Sequence, residues 1–152
     1  MKKKVSVVVP CYKLKQEWLE RLFASIYNQT IGFASLEVIF VVDASEDDTF
    51  ERLQKLEQQY EENVLLINCE EKVGPGGART LGIQYASGEY ISFVDQDDWI
   101  EEEMYAHMYE KAAEYDCDVV ESYNTRDDVV KKNRKLRTGR EDAFYCLDTA
   151  EK

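Results

Sequence analysis

Residues 5–27 read VSVVVPCYKLKQEWLERLFASIY, a short β-branched run followed at once by a helical pattern. Val5 to Val9 are nearly all apolar and stop at Pro10, which is typical of a strand buried on both faces. From Gln16 to Asn28 the apolar residues recur every three or four positions, which predicts an amphipathic helix. This part of the chain is therefore a strand–helix unit of the kind that builds α/β domains.

The same alternation of strand and helix patterns runs on to about residue 122. Further strands are predicted at Leu36–Val42, Val64–Ile67, Tyr90–Val94 and Asp118–Glu121. Helices are predicted from the apolar stripe Phe50, Leu53, Leu56 and Tyr60, from Ala78 to Ala86 after a Gly74–Gly77 loop, and from Glu101 to Tyr115. Such alternation requires crossover connections. We therefore predict a Rossmann-like α/β fold, in which a mostly parallel sheet carries helices on both faces.

The charge and hydropathy pattern divides the chain in two. Residues 1–122 are predicted to form the α/β domain, and residues 123–152 an irregular basic segment with a short helix around Ala143, Phe144 and Leu147. The net charge of −12 argues against a nucleic-acid-binding protein. The basic stretch from Lys131 to Arg140 is either a solvated tail or a surface that faces an anionic partner or a membrane.

The cysteines and the length of the apolar runs predict the cellular compartment. Cysteines 11, 69, 117 and 146 have no metal-ligand spacing, and three of them lie in or beside apolar runs. We expect them to be buried free thiols in a reducing compartment. Since the sequence has no apolar run of membrane-spanning length, a cytoplasmic location is expected.

The strongest chemical signal is the acidic run Asp95-Gln96-Asp97-Asp98, directly after the fourth predicted strand. Carboxylates this close repel one another unless a cation neutralises them. Hard oxygen ligands suit Mg²⁺ or Mn²⁺, with substrate phosphates completing the coordination shell. The alternative is an acidic turn that caps the next helix, where Asp is common. The local sequence leaves both interpretations open.

Other polar residues also follow predicted strands. In open parallel sheets, ligands bind beyond the carboxyl ends of the strands, where the helix N-termini also point. Tyr12 there could stack on a flat ring or simply pack, and Asp43 could read a base edge or cap a helix. Arg79, after the glycine loop, could pair with a phosphate or with nearby acids.

With these residues in view, the chain resembles the family 2 inverting glycosyltransferases of the GT-A fold. The resemblance runs from about Lys4 to Ser122 and rests on five motifs in the family's order. They are residues 5–12 (VSVVVPCY), 25–30 (SIYNQT), 37–45 (EVIFVVDAS), 76–82 (GGARTLG) and 88–99 (GEYISFVDQDDW). The resemblance implies an enzyme that moves a sugar from a nucleotide diphosphate, in most cases UDP, to an acceptor hydroxyl with inversion.

The resemblance also implies roles for individual residues. A DxD-type motif would hold Mn²⁺ or Mg²⁺ through Asp97 and Asp98, and the metal would stabilise the leaving diphosphate. The residues implied to contact the nucleotide-sugar are Pro10, Tyr12, Asp43, Arg79, Asp95 and Asp97. Lys13 and Val42 depart from the family's usual residues, and this puts the choice of donor in doubt.

None of these motifs supplies the general base or the residues that bind the acceptor. The resemblance places the general base beyond residue 152, so the chain is expected to be a truncated fragment that binds donor but transfers sugar poorly. The acceptor, whether saccharide, lipid-linked or protein, is open. A role in cell-surface polysaccharide or glycoconjugate synthesis is implied, with peripheral contact at the cytoplasmic face of the membrane.

Three alternative functions are weighed against this one. A nucleotidyltransferase also uses a sheet and acidic metal ligands, but its first loop is usually rich in glycine, and residues 11–15 contain none. A catalytically inactive nucleotide-sugar-binding module would keep the same motifs. A dinucleotide oxidoreductase is disfavoured because Arg79 stands where the third glycine of its fingerprint belongs.

Overall fold

The computed structural model describes residues 2–122 and the backbone of residues 143–145. Its helices and strands are β1 (Val5–Cys11), α1 (Gln16–Tyr27), a 3-10 turn (Phe33–Ser35), β2 (Leu36–Val42), α2 (Thr49–Gln59), β3 (Val64–Asn68), α3 (Gly74–Tyr85), β4 (Tyr90–Phe93), α4 (Met104–Tyr115), β5 (Val119–Glu121) and β6 (Ala143–Tyr145). The chain forms two compact units, residues 1–105 and residues 106–152.

The first unit is built on a four-stranded parallel sheet with strand order β3-β2-β1-β4. The central strand β1 pairs along its whole length with β2, from Val5 opposite Leu36 to Cys11 opposite Val42. On its other side, Val5 to Val8 pair with β4. The predicted parallel sheet is therefore confirmed. All its connections run through helices, as parallel pairing requires.

Alternate residues of the strands contribute side chains to two separate hydrophobic cores, one on each face of the sheet. Val7, Val9 and Phe40 are fully buried on the face covered by α1, α2 and the start of α4. Val8 and Ile39 are fully buried on the opposite face, where Ala78 of α3 packs. Because successive side chains of a strand point to opposite faces, a continuous apolar run is needed to serve both cores. The predicted helices on both faces are confirmed.

Two glycines allow close approach around β1. A Cβ atom added to Gly82 of α3 would overlap the side chain of Val8, so α3 packs directly against the strand. A Cβ atom on Gly88 would lie 2.5 Å from the backbone nitrogen of Ser6. Gly88 instead donates its N–H to Ser6 Oγ at 2.8 Å, in the turn that leads into β4.

The glycine loop predicted at Gly74–Gly77 is instead the first turn of α3. Gly74 has a φ of +74°, a conformation that glycine adopts at little cost, and Pro75 is tolerated in a first helical turn. The prediction was wrong because glycine is a poor helix former in isolation. The N–H groups of this helix start are bonded by Asp43, a partner thirty residues away that local propensity does not report.

The second unit contains most of α4 and a two-stranded antiparallel sheet formed by β5 and β6. The predicted fifth strand is present at Val119–Glu121, but it pairs with β6 and does not extend the parallel sheet. Ala143–Tyr145 is a strand where the sequence predicted a short helix. Pairing with β5 overrides the local pattern there, and Phe and Tyr favour strands. Leu147 and the basic stretch Lys131 to Arg140 lie outside the described residues.

Within residues 2–122, none of the helices is both long enough and apolar enough to cross a bilayer.

Candidate functional site

The carboxyl ends of the parallel strands lie at one edge of the sheet, and the predicted site residues follow them. Pro10 lies near the end of β1 beside Val41, Asp43 follows β2, and Asp95 comes shortly after β4. Contacts between the loops at this edge join residues that are far apart in the sequence. They define one candidate site, which we call the strand-end site.

The loop after β1, residues 12–15, is held by the loop and helix that follow β2. The N–H of Lys13 donates to Ser45 Oγ at 2.9 Å, and the N–H of Leu14 donates to Thr49 Oγ1 at 3.0 Å. The guanidinium of Arg52 donates to the Leu14 carbonyl. Lys13 has a positive φ of 48°, which is uncommon outside glycine. These bonds hold the loop in a conformation that its sequence alone would not favour.

The ring of Tyr12 lies at the surface of this site with 37% of the residue exposed. The ammonium of Lys72 lies 3.8 Å from the centroid of the ring, and that of Lys13 lies 5.4 Å from it. Both are within the range of a cation–π contact. An exposed aromatic face flanked by two cations suits a flat, anionic ligand such as a nucleotide.

Asp43 is 4% exposed, and its carboxylate bonds the N-terminus of α3. Its Oδ1 accepts the N–H groups of Val73 at 2.6 Å and Gly74 at 3.2 Å, and its Oδ2 accepts that of Gly74 at 3.1 Å. The structure therefore contains a helix-capping contact of Asp43, while its contact with a base edge stays a prediction. The capped helix is α3, not the helix that directly follows Asp43.

Arg79 and Asp95 form an ion pair, with Arg79 Nη2 2.5 Å from Asp95 Oδ1. Both side chains are partly exposed, so the pair adds little to stability, on the order of 1 kcal/mol or less. The ion pair positions the acidic loop after β4, because it joins that loop to α3. The interpretation in which Arg79 pairs with nearby acids therefore matches the structure.

The acidic loop itself, residues 95–98, is held at two further points. The side chain of Gln96 bonds both backbone groups of Tyr12, and Arg21 Nη2 donates to the carbonyl of Asp97 at 2.5 Å. The N–H of Asp98 donates to the Asp95 carbonyl at 3.0 Å, which closes a tight turn. Asp95, Asp97 and Asp98 are all exposed residues.

The donor set of this turn suits a hard divalent cation. Asp97 and Asp98 supply only carboxylate oxygens, which Mg²⁺ and Mn²⁺ prefer. Across the described part of the chain, no three His, Cys, Asp or Glu side chains are grouped as a complete metal site. A cation held here would therefore take one or two carboxylates and the remaining ligands from a phosphate or water, which is the usual arrangement for Mg²⁺.

Two buried thiols lie at the ends of β1 and β3. Burial raises the pKa of Cys11, and burial together with the nearby Asp43 carboxylate raises the pKa of Cys69. Neither thiol is therefore a thiolate nucleophile near neutral pH. The prediction of buried free cysteines is confirmed for Cys11, Cys69 and Cys117, while Cys146 lies outside the described residues.

Among the predicted site residues, Arg79 and Asp95 contact each other directly, and Gln96 joins Tyr12 to the loop that carries Asp95. Asp43 bonds the start of α3, the helix that carries Arg79. Three residues for which the sequence indicated no role contact Tyr12 or the acidic loop. Lys72 covers the Tyr12 ring, Gln96 bonds the Tyr12 backbone, and Arg21 bonds the acidic loop. Lys72 and Gln96 stand next to predicted features, but only the tertiary fold reveals their partners.

Comparison with known proteins identifies similar sequences. The family model described as "Glycosyl transferase family 2" matches residues 6–148. "Glycosyltransferase GlyA" of Streptococcus pneumoniae is 34% identical over 116 residues, which are 76% of this chain and 16% of that protein. "Poly(ribitol-phosphate) beta-glucosyltransferase" of Bacillus spizizenii is 34% identical over 76% of this chain and 18% of its own length. The chain thus spans less than a fifth of the length of these two relatives.

Solved structures share the fold. S. aureus TarS 1-349 in complex with UDP superposes with a TM-score of 0.67 and 30% identity, over 81% of this chain and 37% of TarS 1-349. The mannosyltransferase PcManGT of Pyrobaculum calidifontis, in complex with GDP-Man and Mn²⁺, gives a TM-score of 0.58 at 26% identity, over 65% of this chain and 29% of that one. These similarities confirm the predicted Rossmann-like α/β fold of the GT-A glycosyltransferases.

Proposed function

This chain belongs to glycosyl transferase family 2, and from that premise we propose that it binds the donor of a sugar-transfer reaction, a nucleotide-diphosphate-sugar. The observation that carries the proposal is the strand-end site. There an exposed aromatic ring, a cluster of cations and an acidic turn are joined by direct contacts at the carboxyl edge of the sheet. The whole protein is proposed to be a glycosyltransferase.

The base is proposed to stack on Tyr12, which contributes dispersion to any flat ring. Asp43 is proposed to read the base edge. A carboxylate has about four lone-pair sites, and the contacts to Val73 and Gly74 use two on Oδ1 and one on Oδ2. Oδ2 therefore retains acceptor capacity for a base N–H. Uridine is the proposed base because the structure of TarS, 30% identical to this chain, contains UDP.

The diphosphate is proposed to lie between the cations and the acidic turn. Lys72 and Lys13 supply positive charge beside the Tyr12 ring, and Arg79 supplies it beside Asp95, in a chain whose net charge is −12. Asp97 and Asp98 are proposed to hold Mn²⁺ or Mg²⁺, and Asp95 to contact the ribose or sugar. When bound, the metal ion would supply Lewis-acid stabilisation of the negative charge on the diphosphate.

The transfer itself is proposed to be a direct displacement. The acceptor hydroxyl attacks the anomeric carbon and gives its proton to the general base. The bond to the diphosphate breaks, its electron pair leaves with the diphosphate, and the configuration inverts. The acceptor is proposed to be a saccharide, lipid-linked or protein hydroxyl in cell-surface glycan synthesis, at the cytoplasmic face of the membrane. The name of the Bacillus spizizenii relative refers to poly(ribitol-phosphate), which supports an acceptor in cell-surface glycan synthesis. The general base is proposed to lie outside this donor half.

Calorimetric titration tests the donor site. UDP, GDP, UTP and NAD⁺ are titrated into the chain with and without Mn²⁺. We expect UDP to bind best, and to lose at least about tenfold in affinity without Mn²⁺ or in Asp98→Ala. Glu51→Ala, which removes an exposed acid from α2, is the matched control and should bind as the wild type does. Metal-independent binding, or a preference for UTP or NAD⁺, would contradict the proposal.

A further inference from the structure

We propose that Gln96 is a positioning residue, an amide clamp that couples the surface for the base to the acidic turn for the diphosphate. The proposal deepens the proposed function and rests on it. Gln96 is the one amide within the run Asp95-Gln96-Asp97-Asp98, and no role was assigned to it from the sequence. Its chemistry differs from that of its neighbours because an amide can donate and accept at once.

The geometry of the clamp is reciprocal. The Tyr12 N–H donates to Gln96 Oε1 at 2.9 Å, and Gln96 Nε2 donates to the Tyr12 carbonyl at 2.9 Å. Both distances lie at the centre of the range for N–H···O hydrogen bonds. The amide therefore satisfies the two backbone groups of one residue, across a separation of 84 positions in the chain.

These two hydrogen bonds join the loop after β1 to the loop after β4, where the sheet itself provides no contact. The ladder between β1 and β4 extends only from Val5 to Val8 on β1, so Tyr12 lies four residues beyond its last pair. The Gln96 amide fixes the spacing of the two loops where backbone pairing has ended. A carboxylate in its place could not donate to the Tyr12 carbonyl, and a shorter amide would have to move a loop to reach it.

The consequence concerns ligands that touch both loops. A uridine diphosphate spans from the Tyr12 ring to the acidic turn, so both subsites must be correctly spaced to be used together. Uridine alone uses the first subsite, and pyrophosphate with Mn²⁺ uses only the second. Loss of the clamp should therefore lower the affinity for UDP far more than the affinity for uridine or for pyrophosphate. The gain from having both groups in one molecule depends on the correct spacing of the two subsites.

The test uses Gln96→Met, which keeps the length of the side chain and removes both hydrogen bonds. Binding of UDP, uridine and pyrophosphate is measured with Mn²⁺ present by calorimetry or NMR. We expect UDP to weaken about tenfold or more, and uridine and pyrophosphate to change by less than about twofold. Gln96→Asn keeps the amide on a side chain that cannot reach Tyr12 without moving a loop, so it should weaken UDP about as much as Gln96→Met does.

Two results would overturn the clamp: UDP binding within twofold of the wild type, or equal weakening of all three ligands, which would mean general structural damage. Hydrogen exchange of the ligand-free chain provides a readout that does not depend on nucleotide. The Tyr12 amide should exchange faster in Gln96→Met while the amides of β1 remain protected. Unchanged exchange at Tyr12 would refute the clamp even if the wild type bound no nucleotide, so the two proposals fail separately.

Discussion

The ammonium of Lys72 lies 3.8 Å from the ring centroid of Tyr12, on a residue that is 37% exposed. A base that stacks on this face has to displace the ammonium. An exposed cation–π contact contributes about 0.5–1 kcal/mol, so the displacement has a small but measurable cost. Lys72 therefore competes with the base in the ligand-free protein.

Removal of this competitor should strengthen the binding of uridine. In Lys72→Ala we expect uridine to bind about two- to fivefold more tightly, the equivalent of the lost cation–π contact. Uridine is the probe because it carries no phosphate that the ammonium could attract. Lys55→Ala, which removes an exposed cation from α2, is the control, and NMR titration is the measurement. Unchanged or weaker binding of uridine to Lys72→Ala would contradict the competition.

Asp43 should matter for stability even without a ligand. Asp43→Ala leaves the N–H groups of Val73 and Gly74 without their acceptor, and we expect a loss of about 2 kcal/mol in the free energy of unfolding. Asp43→Asn retains a side-chain oxygen at the same place and should lose less. Urea denaturation followed by circular dichroism measures both. An Asp43→Ala variant as stable as the wild type would show that the capping contacts are energetically unimportant.

Two glycines of α3 should respond in opposite ways to the same substitution. Gly82→Ala places a methyl group against Val8 in the buried core, which should cost about 1–3 kcal/mol of stability. Gly76→Ala meets no atom within 4 Å, and we expect it to be neutral or stabilising by up to about 1 kcal/mol. Thermal unfolding of the two variants makes the comparison. Equal effects would indicate that α3 does not pack closely on β1.

The loop that holds Lys13 should be sensitive to acid. Burial alone would raise the pKa of Asp47, but hydrogen bonds from Ser45 and Thr49 outweigh it and hold that pKa below its ordinary value of 3.8. A carboxyl whose pKa is lower in the folded state stabilises the protein above the unfolded pKa. That contribution is lost as the pH falls through the lower, folded value.

The corresponding experiment compares wild type with Asp47→Asn. The difference in the free energy of unfolding should be constant above about pH 5 and should shrink as the pH falls below 3.8. Urea unfolding at a series of pH values measures it. A difference that grows on acidification would reverse the sign and refute the assignment.

The sequence predicted the sheet because its signal is local. Val7 and Val8 of β1 belong to a run that is apolar at successive positions, and only a strand buried on both faces requires that pattern. The start of α3 was missed because Gly74, Gly76 and Gly77 weaken any local helix prediction. The acceptor that stabilises this start is Asp43, which belongs to another strand end.

The candidate site, like the fold, was predictable only where the signal is local. Tyr12, Asp43 and Asp95 could be found because each follows a strand, and the fold brings strand ends together. Lys72 and Gln96 could not, because a lysine and a glutamine in loops carry no pattern of their own. Their partner Tyr12 lies 84 positions from Gln96, and only the completed sheet brings the pair within 2.9 Å.

The most direct test is a crystal structure of the chain grown with UDP and Mn²⁺, with anomalous diffraction used to locate the metal ion. We expect a manganese peak bound by at least one carboxylate of Asp97 or Asp98 and by a phosphate of UDP, with the base stacked on Tyr12. A structure in which UDP binds elsewhere, or in which no manganese lies at the acidic turn, would contradict it.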